Sequence, residues 1–378
     1  MLGLDSSINR FINELPIDAI SKIEVNMESH ASIRFLFFSS VIGVLVLSSN
    51  IGAAPTPKTD LYVLDDDDKP VKIDLDAPDT EANLKVKDLP NRVLFYLYTR
   101  NTQNNPKRLI VGDSKSLTNS QFNPRKPTKI ITHGWTNSKR SKACTKVRDA
   151  FLSNGDYNVI VVDWSSISRR PYVWTSNQVP KIAQFIGTMI DYLQTQGMNP
   201  SQLTIVGHSL GGHIAGLSSY YAKNKAQYVV ALDPAGPNFH LNGRGSRVSK
   251  GDATYVQIIH TSNLLGLTMN LGDSDFYPNG GSAQNSCKMD VGGSCSHSRS
   301  YEYFAESINN NGFLARRCGS YKDFGNGRCN SNPIGYMGGL LPNFNVEGSY
   351  YLNTNSRSPY AKHSRVKNEP STSIIKFL

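Results

Sequence analysis

With 378 residues, 39% of them hydrophobic and 19% charged, the chain has enough length for one large globular domain, or two small ones, with a sizeable core. A formal net charge of +10 draws such a chain toward anionic surfaces: acidic lipid headgroups, glycosaminoglycans or nucleic acid. The Lys and Arg residues are scattered and no zinc-finger or RNA-binding motif occurs, which argues against nucleic acid.

The first feature in chain order is the apolar run 35-FLFFSSVIGVLVLSS-49, preceded by Arg34 and followed by 50-NIGAAPTP-57. It falls short of the ~20 apolar residues of a membrane-spanning helix. Its length is that of a signal-peptide core, with small residues at a cut near Ala53 or Ala54. Residues 1–54 are therefore read as a signal-peptide region, with an uncut anchor as the alternative, and Met27 is a candidate true start. Removing them takes away three Lys/Arg and five Asp/Glu and moves the net charge from +10 to +12. A secreted, extracellular protein is expected.

Residues 55–90 are polar and include 65-DDDDKP-70. An Asp run before Lys resembles a proteolytic activation site, but Pro70 after the lysine blocks cleavage, and a solvated acidic segment is the expectation. From residue 91 to 378 the chain reads as one domain. Strand-like runs occur at 92-RVLFYLY-98, 128-TKIITHG-134, 157-YNVIVVDW-164, 202-QLTIVG-207, 227-QYVVALD-233 and 254-TYVQIIHT-261. Continuous Val/Ile runs of this kind suit strands buried on both faces. Between them, Val179, Ile182, Ala183, Ile186, Met189, Ile190 and Leu193 recur at helical spacing over 179–197, closed by Gly197 and Pro200. A second helix follows Ser209 to about Asn224 and a third covers 298–309. The last 40 residues read as loops with one or two strands. Strand–helix alternation predicts an α/β fold, a mostly parallel sheet with helices on both faces.

Five cysteines fit an oxidising compartment. Cys287 and Cys295 are close in sequence, as are Cys318 and Cys329, which suits two disulfide-closed loops and leaves Cys144 over. No Asn-x-Ser/Thr sequon occurs.

The chemistry centres on Gly207-His208-Ser209-Leu210-Gly211. A G-x-S-x-G alone is a weak signal. Here a strand-like run leads in and a helix leads out, which is the setting of a nucleophile elbow in an α/β hydrolase. A serine hydroxyl needs a base and an orienting acid. Asp233, ending the next strand before Pro234, is the candidate acid. Four histidines follow it: His240, His260, His297 and His363. Position alone leaves His260, at the end of a strand, as a rival to His297 for the base. The oxyanion calls for two N–H donors: Leu210, after the serine, and Trp135 in 132-THGWT-136, with His133 bracing that loop. No ligand cluster suggests a metal, and no cofactor is needed.

The segments 133-HGW-135, 207-GHSLGGHIAG-216, 232-LDPAGP-237 and 295-CSHSRS-300 resemble the pancreatic-lipase family of secreted serine hydrolases. Within it, 258-IIHTSN-263, 275-DFYPNGG-281 and 349-SYYLNTNSRSPYAK-362 are most similar to the insect branch, close to the venom phospholipases A1 of wasps and ants. The resemblance implies an α/β-hydrolase fold over roughly residues 70–362 and the base role for His297, at the family's C-x-H-x-R-S position. The chain ends too early for the C-terminal β-sandwich of the vertebrate lipases, so no helper protein of the colipase type is expected. The lid of those lipases is long. The matching loop here, 288-KMDVGGS-294, has seven residues. In the family a short lid goes with phospholipase A1 activity. The expected function is hydrolysis of the sn-1 acyl ester of phospholipids at a lipid surface, by a monomer. Triacylglycerol hydrolysis is the alternative, and a non-enzymatic, yolk-like lipid-binding or storage role is a second one, disfavoured by the presence of Ser209, Asp233 and His297 together.

Overall fold

The computed structural model describes residues 60–77, 88–103, 105–310 and 312–362. The leader, its cut and the alternative start at Met27 lie outside these residues, as does His363.

Strands form where the Val/Ile runs are. In chain order they are β1 (Tyr62–Leu64), β2 (Pro70–Lys72), β3 (Leu94–Tyr98), β4 (Lys107–Leu109), β5 (Thr128–Thr132), β6 (Asn158–Asp163) and β7 (Leu203–His208). They continue with β8 (Tyr228–Leu232), β9 (Tyr255–Ile259), β10 (Ser274–Pro278), β11 (Leu314–Arg317), β12 (Ile334–Tyr336) and β13 (Gly348–Leu352). Eleven of them make one sheet in the order β12-β11-β13-β10-β9-β8-β7-β5-β6-β3-β4. The centre, from β13 through β10, β9, β8, β7 and β5 to β6, is parallel, and antiparallel pairs close both edges. Among the described residues β1 and β2 pair only with each other.

The central strands are apolar on both faces because helices cover both. In β6, Ile160 and Val162 point into one core and Val159 and Val161 into the other; in β8, Val229 and Ala231 oppose Tyr228, Val230 and Leu232 in the same way. Helices α2 (Val179–Thr195) and α3 (Leu210–Tyr221) cover the first face, and α1 (Lys142–Asn154) and α4 (Ser294–Asn309) the second. All seven predicted inward residues of α2 are at most 1% exposed, each worth about 1.5–3 kcal/mol where the side chain is large.

Register positions the site. Thr132 lies beside Gly207, His208 beside Leu232, and Leu232 beside Ile259. The residues just past these positions, Gly134, Ser209, Asp233 and Thr261, therefore share the carboxyl edge of the sheet, where open α/β sheets bind ligands.

Two sequence expectations are corrected. The third helix begins at Ser294, not 298, so His297 sits in its first turn rather than in a loop ahead of it. The acidic segment forms the turn of a β1–β2 hairpin, in which Asp67 and Asp68 are exposed as expected but Asp66 is held by ordered partners. Helix α1 and strands β4 and β10–β12 go beyond the elements expected from sequence.

Candidate active site

Ser209 stands between the last residue of β7 and the first of α3, with φ 59° and ψ −125°. A side-chain-bearing residue in this region stores on the order of 1–3 kcal/mol of strain, which the surroundings must hold in place. Ser209 N–H donates to the Leu232 carbonyl (3.1 Å), and the Ser209 carbonyl accepts from Gly212 (2.9 Å). The glycines make the bend possible. A Cβ on Gly207 would lie 1.9 Å from the Gly211 carbonyl oxygen, and one on Gly134 would lie 2.9 Å from Ser209 Cβ. Leu210 is the first residue of α3, so its N–H is one of those without an intrahelical acceptor.

Asp233 is fully buried. Its Oδ1 accepts from the N–H groups of Thr261 (2.6 Å) and Ser262 (3.0 Å), and its Oδ2 accepts from His297 Nδ1 (2.5 Å). Those bonds place the His297 proton on Nδ1 and leave Nε2 as the acceptor. Nε2 is buried with no hydrogen-bond partner among the described residues, and His297 lines the same pocket as Ser209, Gly134 and Trp135. Asp290, in the loop closed by Cys287–Cys295, caps the helix that carries His297 by accepting from Cys295 N (2.7 Å) and Ser296 N (3.0 Å).

Two further histidines shape the site. His208 lies with its ring centroid 4.4 Å from that of His297, and its Nε2–H donates to the His297 carbonyl (3.2 Å). Burial, and then the nearby His297 charge, hold its pKa well below the ordinary histidine value, so it stays neutral beside any imidazolium. His133 braces the loop after β5 as expected. Its Nδ1–H donates to the Gly134 carbonyl (2.9 Å), its Nε2 accepts from Trp164 N (3.1 Å), and its ring stacks on Trp164. The Trp135 indole donates to the Arg170 carbonyl (2.7 Å) and meets Tyr172 edge-on.

The rival base is occupied elsewhere. His260 is buried, with Nε2 on Asp275 Oδ1 (2.9 Å) and Nδ1 on the Leu267 carbonyl (2.6 Å), and it stacks on Tyr277. His240 is exposed. Cys287 pairs with Cys295 and Cys318 with Cys329, while Cys144 is free and buried. What sequence reasoning missed is the support: Thr261 and Ser262 holding Asp233, Asp290 capping α4, His208 beside His297, and the hairpin turn at the pocket. The motif pattern pointed only to His208, as the residue ahead of Ser209.

A family profile described as Lipase matches residues 60–360. Pancreatic triacylglycerol lipase of Myocastor coypus is 30% identical over 301 residues, covering 71% of this chain and 66% of that protein. The Sus scrofa protein of the same name is 31% identical over 309 residues, covering 73% and 68%. A phospholipase A1 of Vespa crabro is 32% identical over 253 residues, covering 63% of this chain and 84% of that protein. The chain spans about two thirds of the length of the mammalian relatives. With an elbow serine at the carboxyl edge of a parallel sheet and the profile matched across most of its length, the chain belongs to the lipase family of α/β hydrolases.

Proposed function

We propose that this chain is a secreted serine esterase that cleaves the sn-1 acyl ester of phospholipids at a lipid surface. One observation carries the esterase part: His297 turns a buried, unpartnered Nε2 into the pocket of Ser209 while a buried carboxylate holds its Nδ1. In this mechanism Ser209 Oγ attacks the acyl carbonyl and His297 Nε2 takes its proton. The N–H groups of Leu210 and Trp135 receive the oxyanion. His297 then returns the proton to the departing lysophospholipid oxygen. Asp233 stabilises the imidazolium in between, and the acyl-enzyme is hydrolysed by a water that His297 activates. Two disulfides suit an oxidising, extracellular setting.

The phospholipid part is supported by the short loop 288–294 between Cys287 and Cys295, and by the Vespa crabro relative named a phospholipase A1. The mammalian relatives are named triacylglycerol lipases, which makes that the competing outcome. The test is a paired assay: a phosphatidylcholine labelled differently on its two acyl chains beside an emulsified long-chain triacylglycerol, each with Ser209→Ala. Release of the sn-1 label, lost by about a million-fold in Ser209→Ala, is expected. Dominant triacylglycerol hydrolysis would replace the phospholipase reading with a lipase one. Activity on neither would return the chain to the storage alternative.

A further inference from the structure

The pocket holding Ser209 and His297 is narrow, and both residues are buried. Its free volume is about 20 Å³, room for a water rather than an acyl chain, since ligand pockets run to hundreds of Å³. One wall is the β1–β2 hairpin, whose Val63, Leu64, Asp65 and Asp68 face Trp135, Ser209 and His297. Among the described residues the hairpin belongs to no larger sheet, and it pairs over three residues per strand. Such a ribbon is marginal by itself, so its contacts with the body hold it.

Those contacts reach the loop that follows β5, the start of α1, and Arg169 beyond β6. The Asp66 carboxylate, 8% exposed, accepts from Ser138 N–H (2.9 Å), Ser138 Oγ–H (2.6 Å) and Arg169 Nη2 (3.3 Å). Lys142 Nζ donates to Asp68 Oδ2 (2.5 Å), and Asn137 Nδ2 to the Leu64 carbonyl (3.0 Å). On the far side of the pocket the disulfide-closed loop fits against β1 so tightly that a Cβ on Gly292 would lie 2.5 Å from Tyr62 N. The hairpin thus runs from the loop carrying Trp135 to the loop before His297, across the mouth between them. The Asp65 carboxylate plays a local part instead, accepting from Asp67 N–H and Lys69 N–H and so shaping the turn.

A backbone N–H, a hydroxyl and a guanidinium aimed at one carboxylate are also the donor set that a phosphate monoanion takes. We propose that residues 60–73 form a strap latched over the active site, and that an anionic phospholipid headgroup opens it by replacing the Asp66 carboxylate on Ser138 and Arg169. This rests on the esterase reading above. It assigns the short disulfide loop the role of a seat for the strap, and it makes Ser138 and Arg169 a headgroup site beside the catalytic pocket. Turnover then scales with the fraction of molecules whose strap is open.

The test uses the full-length protein in two arms. In the first, Asp66→Ala and the parent are compared for kcat/KM on p-nitrophenyl butyrate, a soluble ester that supplies no surface, and for the rate of Ser209 labelling by a fluorophosphonate. An increase on the order of tenfold in both is expected if about one parent molecule in ten is open. In the second, hydrogen exchange of the amides between Tyr62 and Lys72 is followed in the parent with non-hydrolysable ether-linked phosphatidylglycerol vesicles, with phosphatidylcholine vesicles, and with inorganic phosphate. Phosphatidylglycerol should speed exchange most. Equal effects of inorganic phosphate would reassign the site to free phosphate. Unchanged exchange in every arm, or a folded Asp66→Ala protein no faster than the parent, would overturn the strap. If Ser209 never labels although exchange responds, the esterase reading fails and the strap stands.

Discussion

Asp233→Asn separates orientation from mere presence of a side chain at the proposed acid. The carboxylate accepts three hydrogen bonds, two on Oδ1 from Thr261 and Ser262 and one on Oδ2 from His297. An amide has one acceptor oxygen. If that oxygen faces His297, its NH₂ group confronts two backbone donors, and each loses its acceptor at about 1–3 kcal/mol. The amide therefore settles with its oxygen on Thr261 and Ser262 and its NH₂ toward His297. Nδ1 must then accept, so the imidazole proton moves to Nε2, where it cannot receive one from Ser209. A preference of about 2–6 kcal/mol leaves the productive tautomer at a few per cent or less. The imidazolium also loses its counter-charge. The combined expectation is a fall in kcat of about 10⁴-fold, the size seen for the same change in a serine protease triad, or about 5.5 kcal/mol of barrier. The assay is kcat on a soluble short-chain ester, with thermal unfolding in parallel and Ser209→Ala as the floor. The unfolding temperature should move little, because the Thr261 and Ser262 bonds persist. A kcat within about tenfold of the parent, in a protein that unfolds as the parent does, would refute the role given to Asp233.

Gly207→Ala should cost at least the ~1–3 kcal/mol of core overpacking, because its Cβ would sit 1.9 Å from the Gly211 carbonyl oxygen; urea midpoints and esterase activity should fall together, and an unchanged midpoint would contradict the elbow packing. Lys129 is buried in β5 against Phe151 and Tyr157 with Thr204 as its hydrogen-bond partner, and burial pushes its pKa from 10.5 down to about 8. Between pH 8 and 10.5 the unfolded chain then holds a proton that the folded one has lost, so this group makes stability rise with pH through that window and lowers it below pH 8 by about 3 kcal/mol. Lys129→Met should flatten the rise and raise the urea midpoint at pH 7; a steeper rise would reverse the sign. Cys144 is free and fully buried, and burial pushes its thiol up to about 12, so iodoacetamide at pH 8 should label it only after unfolding. Labelling of the native protein at the rate of a free thiol would show that the α1 face opens.

The centre of the fold was readable because there local pattern and tertiary burial agree. Six strand-like runs each coincide, to within two residues at either end, with a strand of the sheet, and all seven predicted positions of α2 face the core. The edges were not. β11 is LARR and β12 is IGY, short antiparallel additions with charged or exposed residues, and β10, SDFYP, carries an aspartate that bonds to His260 instead of facing water. Helix α1 has its buried Cys144, Val147, Ala150 and Phe151 at helical spacing, but polar residues fill the rest and blunt the pattern. At the site, Ser209, Asp233 and His297 were legible as chain order plus motif. The choice between His260 and His297 was not settled by position. It turns on Asp275, fifteen residues beyond His260, which occupies that ring.

The Asp run shows where composition stops being informative. Four adjacent aspartates read as one solvated feature, because charge count is all that sequence offers there. In the folded chain they have become different groups. Asp65 holds its own turn, Asp66 is buried on Ser138 and Arg169, Asp67 is exposed, and Asp68 meets Lys142. The donors for Asp66 come from 72 and 103 residues away, so no local pattern could announce them. Nor are the four equivalent in energy. The half-exposed Asp68–Lys142 pair is worth about 0–1 kcal/mol, whereas removing the buried Asp66 acceptor strands a buried backbone N–H. Of the four aspartates, Asp66 is therefore the one that latches the hairpin, and substitutions at Asp67 or Asp68 should leave it largely closed while Asp66→Ala opens it.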